Sequence, residues 1–180
     1  MLALGIVALW AFAEATLFFI VADVPIMGVA IRYGMRRGLA AALVAAVFAA
    51  LGGLVTMKWA TLAPDASRAL IESLPGIGPG LLDRAGAEWR EGGTWAMLTG
   101  SFGGTPYKLY AYAAGIERAG MAGFFLASII ARLPRFLLVA WLSSLAGPYL
   151  RRRLPGRRLW LVFSLAWAVF YAWYFAAMSA

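Results

Sequence analysis

The chain has 180 residues, of which 63% are hydrophobic and 13% charged, with a formal net charge of +8 and a mean hydropathy of +0.80. A soluble domain cannot bury that much apolar surface, so the composition points to a single compact integral membrane domain. Cysteine and histidine are both absent, which excludes disulfides, Cys/His metal centres, His-ligated haem and His-based acid–base or phosphotransfer chemistry.

Residues 1–31 form an apolar run that carries Glu14 and Asp23. As one straight helix it would be about 46 Å long against a hydrocarbon core of about 30 Å, so it must tilt, bend or fold back. Asp23-Val24-Pro25 is the natural breakpoint, because proline disfavours a helical residue before it and donates no hydrogen bond to the turn behind it. A signal peptide is the weaker reading of this run: no basic residue precedes it and the apolar stretch continues past any cleavage point.

Arg32, Arg36 and Arg37 form a first basic cluster, followed by an Ala- and Gly-rich transmembrane helix over 39–60 whose small side chains suit close packing. Residues 61–93 are the one polar stretch, mixing both signs of charge and split by Pro75 to Gly80. They read as an interfacial loop with short amphipathic helices. The apolar stretch 94–115 is interrupted at Gly103-Gly104-Thr105-Pro106. Each limb is too short to span, which makes a hairpin that dips in and returns. Its Gly-Gly-Thr belongs to no phosphate-binding loop pattern.

A transmembrane helix over 120–145 follows, then a second basic cluster, Arg151 to Arg153 with Arg157 and Arg158, then a last transmembrane helix over 159–177. In that helix Trp160, Trp167, Tyr171, Trp173 and Tyr174 read as interface belt and packing rather than a ligand cage.

Lys108, Arg132 and Arg135 put three cations inside apolar segments, where each costs about 2.5–3.5 kcal/mol on insertion scales. Arg132 lies too deep to snorkel to an interface, and Arg135, three residues on, shares its helix face. Pro134 between them frees the Ile130 carbonyl and predicts a kink able to line a cavity. Two readings stand: the arginines neutralise buried acids and pin the fold, or they line a polar path for a substrate.

Placing both basic clusters on the cytoplasmic side and 61–93 outside fixes the parity of the chain. The second cluster returns to the cytoplasm only if 94–115 is re-entrant, and the same logic makes 1–31 a hairpin entering from the cytoplasm. The expected fold is therefore an all-α integral membrane protein. It has two opposed re-entrant helical hairpins, each followed by a transmembrane helix in an inverted repeat, plus a C-terminal transmembrane helix.

Phe12-Ala-Glu-Ala-Thr16 and Asp23, with Thr105-Pro-Tyr-Lys108, Ala114-Gly115, Phe124, Ser128, Arg132 and Arg135-Phe136, carry a resemblance to a known family. At these positions the chain resembles the DedA superfamily of bacterial inner-membrane proteins, the VTT or SNARE-associated domain, and particularly its short YqaA-like branch. The resemblance implies a multi-pass inner-membrane protein that moves lipids, with polyprenyl phosphate or phospholipid as cargo. It makes Glu14 and Asp23 the family's membrane-embedded acids and Arg132 and Arg135 its basic pair. The classical branch has arginines flanking the hairpin proline, where this chain has Gly103-Gly104 before Pro106 and Lys108 after it.

The leading expectation is a lipid transporter or scramblase for an anionic lipid. Lys108, Arg132 and Arg135 would bind the substrate, Glu14 and Asp23 would couple to protons, and Pro25, Gly103, Gly104 and Pro106 would break the hairpins. Two embedded acids face three cations, leaving one cation for a lipid phosphate. The alternative is a non-transporting assembly or scaffold protein with structural charges. An enzyme is not expected, since catalytic bases are sparse and no metal-ligand cluster is evident. No cofactor is expected, and the expected partners are membrane lipids rather than nucleic acid, with a homo-oligomer left open.

Overall fold

Long apolar runs must satisfy their backbone polar groups internally if they are to sit in lipid, and helices do so within one segment. In a computed structural model, which describes residues 1–178, every regular element is a helix. In chain order these are α1 (Leu2–Thr16), α2 (Asp23–Tyr33), α3 (Met35–Leu62), α4 (Pro64–Glu72), α5 (Pro79–Gly92), α6 (Thr94–Gly103), α7 (Tyr107–Ile116), α8 (Met121–Arg153) and α9 (Arg157–Met178). Among the described residues, three stretches are long and apolar enough to cross a membrane: Met35–Leu62, Met121–Arg153 and Arg157–Ala176.

Helix α3 is the centre of the bundle. Ala41, Ala42, Ala45, Ala46, Ala49 and Ala50 recur at helical spacing and are buried, so α1, α2, α7 and α8 all pack directly on it. Small side chains permit that approach because helix backbones come together where no bulk intervenes. At Gly53 the fit is tightest: a methyl group there would overlap the Tyr107 hydroxyl. Near the other end, Gly38 faces Ala140 of α8, so the start of α3 packs on the C-terminal half of α8.

The helices exceed their expected limits at the charged ends. Arg151, Arg152 and Arg153, expected as a basic cluster beyond a helix ending at residue 145, form the last turn of α8. Arginine is a good helix former, and cations suit the negative end of the helix dipole. Helix α8 also runs unbroken through Pro134.

Helices α1 and α2 are separated by residues 17–22, and α6 and α7 by residues 104–106. These four helices have 15, 11, 10 and 10 residues, or about 15–22 Å each, too short to cross a 30 Å core. The first break falls upstream of the expected Asp23-Val24-Pro25. Pro25 instead lies in the first turn of α2, where its missing N–H has no intrahelical partner to lose. Asp23 becomes the first residue of α2, with its negative charge at the positive end of the dipole. The second break falls where expected: Gly103 ends α6, Gly104 takes a left-handed conformation at φ 89°, and Pro106 caps α7.

The polar stretch folds as α4 and α5. Arg68 bridges Glu72 and Asp83, each at 2.8 Å, tying the two helices together. The Tyr110 hydroxyl donates to Glu88 at 2.5 Å and so holds α5 on α7. Helix α9 lies at the periphery. Its apolar stretch is almost wholly exposed, 6% buried against 50% for that of α3.

Candidate functional site

Five charged side chains from four helices line one cavity of about 190 Å³: Glu14 from the end of α1, Asp23 from the start of α2, Lys108 from the first turn of α7, and Arg132 and Arg135 from α8. The two helix breaks are what bring them together, since each break delivers a helix end and its charged residue to the face of α8. Arg132 is the twelfth of the 33 residues of α8, well inside the helix's apolar length.

The acids and cations pair in order. Arg132 meets Glu14 with Nη2 at 2.5 Å from Oε2 and Nη1 at 3.4 Å from Oε1, and both side chains are less than a tenth exposed. Its guanidinium also stands over the rings of Tyr107 and Phe136, at 4.6 and 4.8 Å. Arg135 directs Nε and Nη2 to Asp23 Oδ2 at 3.0 and 2.5 Å, and its Nη1 donates to the Ser101 carbonyl beside the second break. Lys108 has no carboxylate partner among the described residues. Its ammonium donates to the Phe18 carbonyl at 2.6 Å, within the first break.

Among the described residues, two buried polar atoms at this cavity, Asp23 Oδ1 and Arg132 Nε, make no hydrogen bond. A buried polar group without a partner is costly, and such groups mark places where a ligand, a water or a proton completes the structure. With two carboxylates against three cations, the cavity carries an excess of one positive charge. Chemically it can accept an anion at Lys108 and exchange one of its arginine–carboxylate pairs for an arginine–anion pair.

Of the residues expected to break the hairpins, Gly104 and Pro106 line the cavity, whereas Pro25 and Gly103 do not. The aromatic hydroxyls of the cavity wall went unrecognised in the sequence. Tyr171 and Tyr174 of α9, read as interface belt, line the cavity, and the Tyr171 hydroxyl accepts from the Val21 backbone N–H at 2.8 Å. Tyr107 also lines the cavity, and its hydroxyl donates to Ser128 Oγ at 2.7 Å. The signal for Tyr171 and Tyr174 was their spacing of three, which places two hydroxyls on one helix face, but an interface belt has the same signature.

No family model matches the chain, and no solved structure matches it. The chain is 34% identical over 59 residues to the "Uncharacterized protein HI0703 homolog" of Histophilus somni, a match covering 33% of this chain and 31% of that protein. The chain thus spans under a third of the length of this relative.

Proposed function

We propose that the chain is a lipid transporter or scramblase of the DedA superfamily, moving an anionic lipid across the bacterial inner membrane. The observation that carries this reading is Lys108: a buried ammonium facing a cavity, bound to a carbonyl and not to a carboxylate, beside two arginines already engaged by acids. A buried cation without a counter-charge is expensive, and a lipid phosphate supplies the missing charge. The cavity is smaller than the sites of drug-sized ligands, which suits a headgroup whose tails stay in the bilayer.

In this reading α1 with α2, and α6 with α7, are re-entrant hairpins entering from opposite sides, and each is followed by a spanning helix in an inverted repeat. Both arginine clusters face the cytoplasm and α4 with α5 the outside. Because the chain has no cysteine, single cysteines introduced at Arg118 and Arg157 report the two faces to an impermeant thiol reagent. Labelling of both from one side of the membrane rejects the topology.

The second reading, a non-transporting scaffold, draws on the fact that both arginines are already paired. Reconstitution separates the two. Purified protein in liposomes should move labelled phospholipid or labelled polyprenyl phosphate between leaflets, and movement of neither removes the transport reading.

A further inference from the structure

Arg32, Arg36 and Arg37 lie where α2 ends and α3 begins, and the five arginines between 151 and 158 lie where α8 ends and α9 begins. The fold joins these distant clusters. The Arg151 guanidinium donates to the carbonyl of Ile31, 120 residues away in the chain. Ser144 Oγ donates to Met35 Sδ at 3.3 Å, and a methyl on Gly147 would stand 3.0 Å from the Ile31 carbonyl oxygen.

All eight arginines are exposed. No acid occurs between residues 24 and 64 or beyond Glu117, and none of the eight forms an ion pair among the described residues. The chain's other eight cations equal its eight acids in number, so the whole net charge of +8 resides on this one face.

Orientation in the membrane asks only for positive charge, and lysine would serve. Both lysines of the chain, Lys58 and Lys108, lie elsewhere, and this face is built from arginine alone. Arg32 and Arg37 stack on Tyr33 at 5.4 and 4.8 Å, and Arg153 on Tyr149 at 5.5 Å. Stacking holds the planar fork ready for two parallel hydrogen bonds to a phosphate, which an ammonium does not offer. The face lies at the ends of α3, α8 and α9, the three helices able to cross a membrane, and that places the guanidinium groups at the depth of lipid headgroups rather than out in solution.

We propose that this face binds the phosphates of anionic lipid headgroups, of the phosphatidylglycerol type, in the adjoining leaflet, at a site separate from the cavity and independent of any transport. The test is native mass spectrometry of the purified protein titrated with phosphatidylglycerol, with phosphatidylcholine and with a single-stranded RNA oligonucleotide. Wild type, an Arg152→Gln/Arg157→Gln/Arg158→Gln variant and a Lys108→Met variant are compared. The side chains of these three arginines make no hydrogen bond or ion pair among the described residues, so the triple variant should melt with the wild type.

The wild type should bind phosphatidylglycerol in preference to phosphatidylcholine. The triple variant should lose about fivefold in affinity for each arginine neutralised, and Lys108→Met should keep the binding. Equal affinity in the triple variant overturns the proposal, as does equal binding of both lipids by the wild type. Loss in Lys108→Met with retention in the triple variant would place the lipid in the cavity and overturn it too. Tighter binding of single-stranded RNA than of phosphatidylglycerol would assign the face to nucleic acid instead.

Discussion

Arg135 holds Asp23 through a single carboxylate oxygen: Nε and Nη2 both reach Oδ2, at 3.0 and 2.5 Å, while Oδ1 is buried and makes no hydrogen bond. Glu14, by contrast, engages Arg132 through both of its oxygens. A proton can therefore add to Asp23 at Oδ1 without breaking a hydrogen bond, whereas at Glu14 it must displace an arginine N–H. If an incoming phosphate takes over Arg135, Asp23 loses its partner and is the acid placed to take up a proton. We expect Asp23→Asn to abolish any dependence of lipid transport on an imposed pH gradient in proteoliposomes. Gradient-dependent transport by that variant would rule out Asp23 as the coupling group.

The same asymmetry separates the two acids in stability. Glu14→Gln leaves Arg132 charged and unpaired in a site where both side chains are less than a tenth exposed. Breaking a buried pair of this kind costs about 3–5 kcal/mol. Arg135 is 31% exposed and keeps the Ser101 carbonyl, so Asp23→Asn should cost less. Thermal unfolding in detergent should show the larger drop in Tm for Glu14→Gln, and the reverse order would contradict the burial argument.

Arg135→Lys tests what the guanidinium contributes beyond its charge. Lysine keeps the cation but loses the fork that spans Asp23 and the Ser101 carbonyl at once, and with it the bidentate grip on phosphate. Transport should fall about tenfold or more, in line with the loss of one charge-assisted hydrogen bond. Full rates in both Arg135→Lys and Arg132→Lys would favour the scaffold reading.

Packing makes an independent prediction at Gly53, where an added methyl meets the Tyr107 hydroxyl, itself fixed by its bond to Ser128. Gly53→Ala should destabilise by about 1–3 kcal/mol through overpacking. In the double variant with Tyr107→Phe, which removes the clashing oxygen, part of that loss should return. An unchanged Tm for Gly53→Ala would show that α7 does not press on α3 as described.

Much of this arrangement was legible in the sequence because membranes make charges conspicuous. Glu14, Asp23, Lys108, Arg132 and Arg135 stand out in apolar runs, and the cost of leaving them unpaired required that they meet. The break at Gly103-Gly104-Thr105-Pro106 was equally legible, since glycine and proline interrupt a helix by their own backbone chemistry. The first break was misplaced by several residues. Leu17, Phe18, Phe19 and Ile20 have no intrinsic objection to a helix, and their turn is held by tertiary bonds, from Trp10 Nε1 to the Ile20 carbonyl and from the Val21 N–H to Tyr171. Tyr171 and Tyr174 escaped notice for a similar reason: which face of α9 turns toward the cavity is decided by packing across the bundle, not by the pattern within the helix.

The most direct measurement is leaflet-to-leaflet movement of labelled anionic lipid in proteoliposomes, compared between wild type and Lys108→Met. That substitution removes the one cavity cation without a carboxylate partner and leaves both arginine pairs in place. The wild type should move the lipid, and Lys108→Met should slow it about tenfold or more, as expected for losing a charge-assisted contact to phosphate. Equal rates in the two proteins, or no movement by either, would contradict the account.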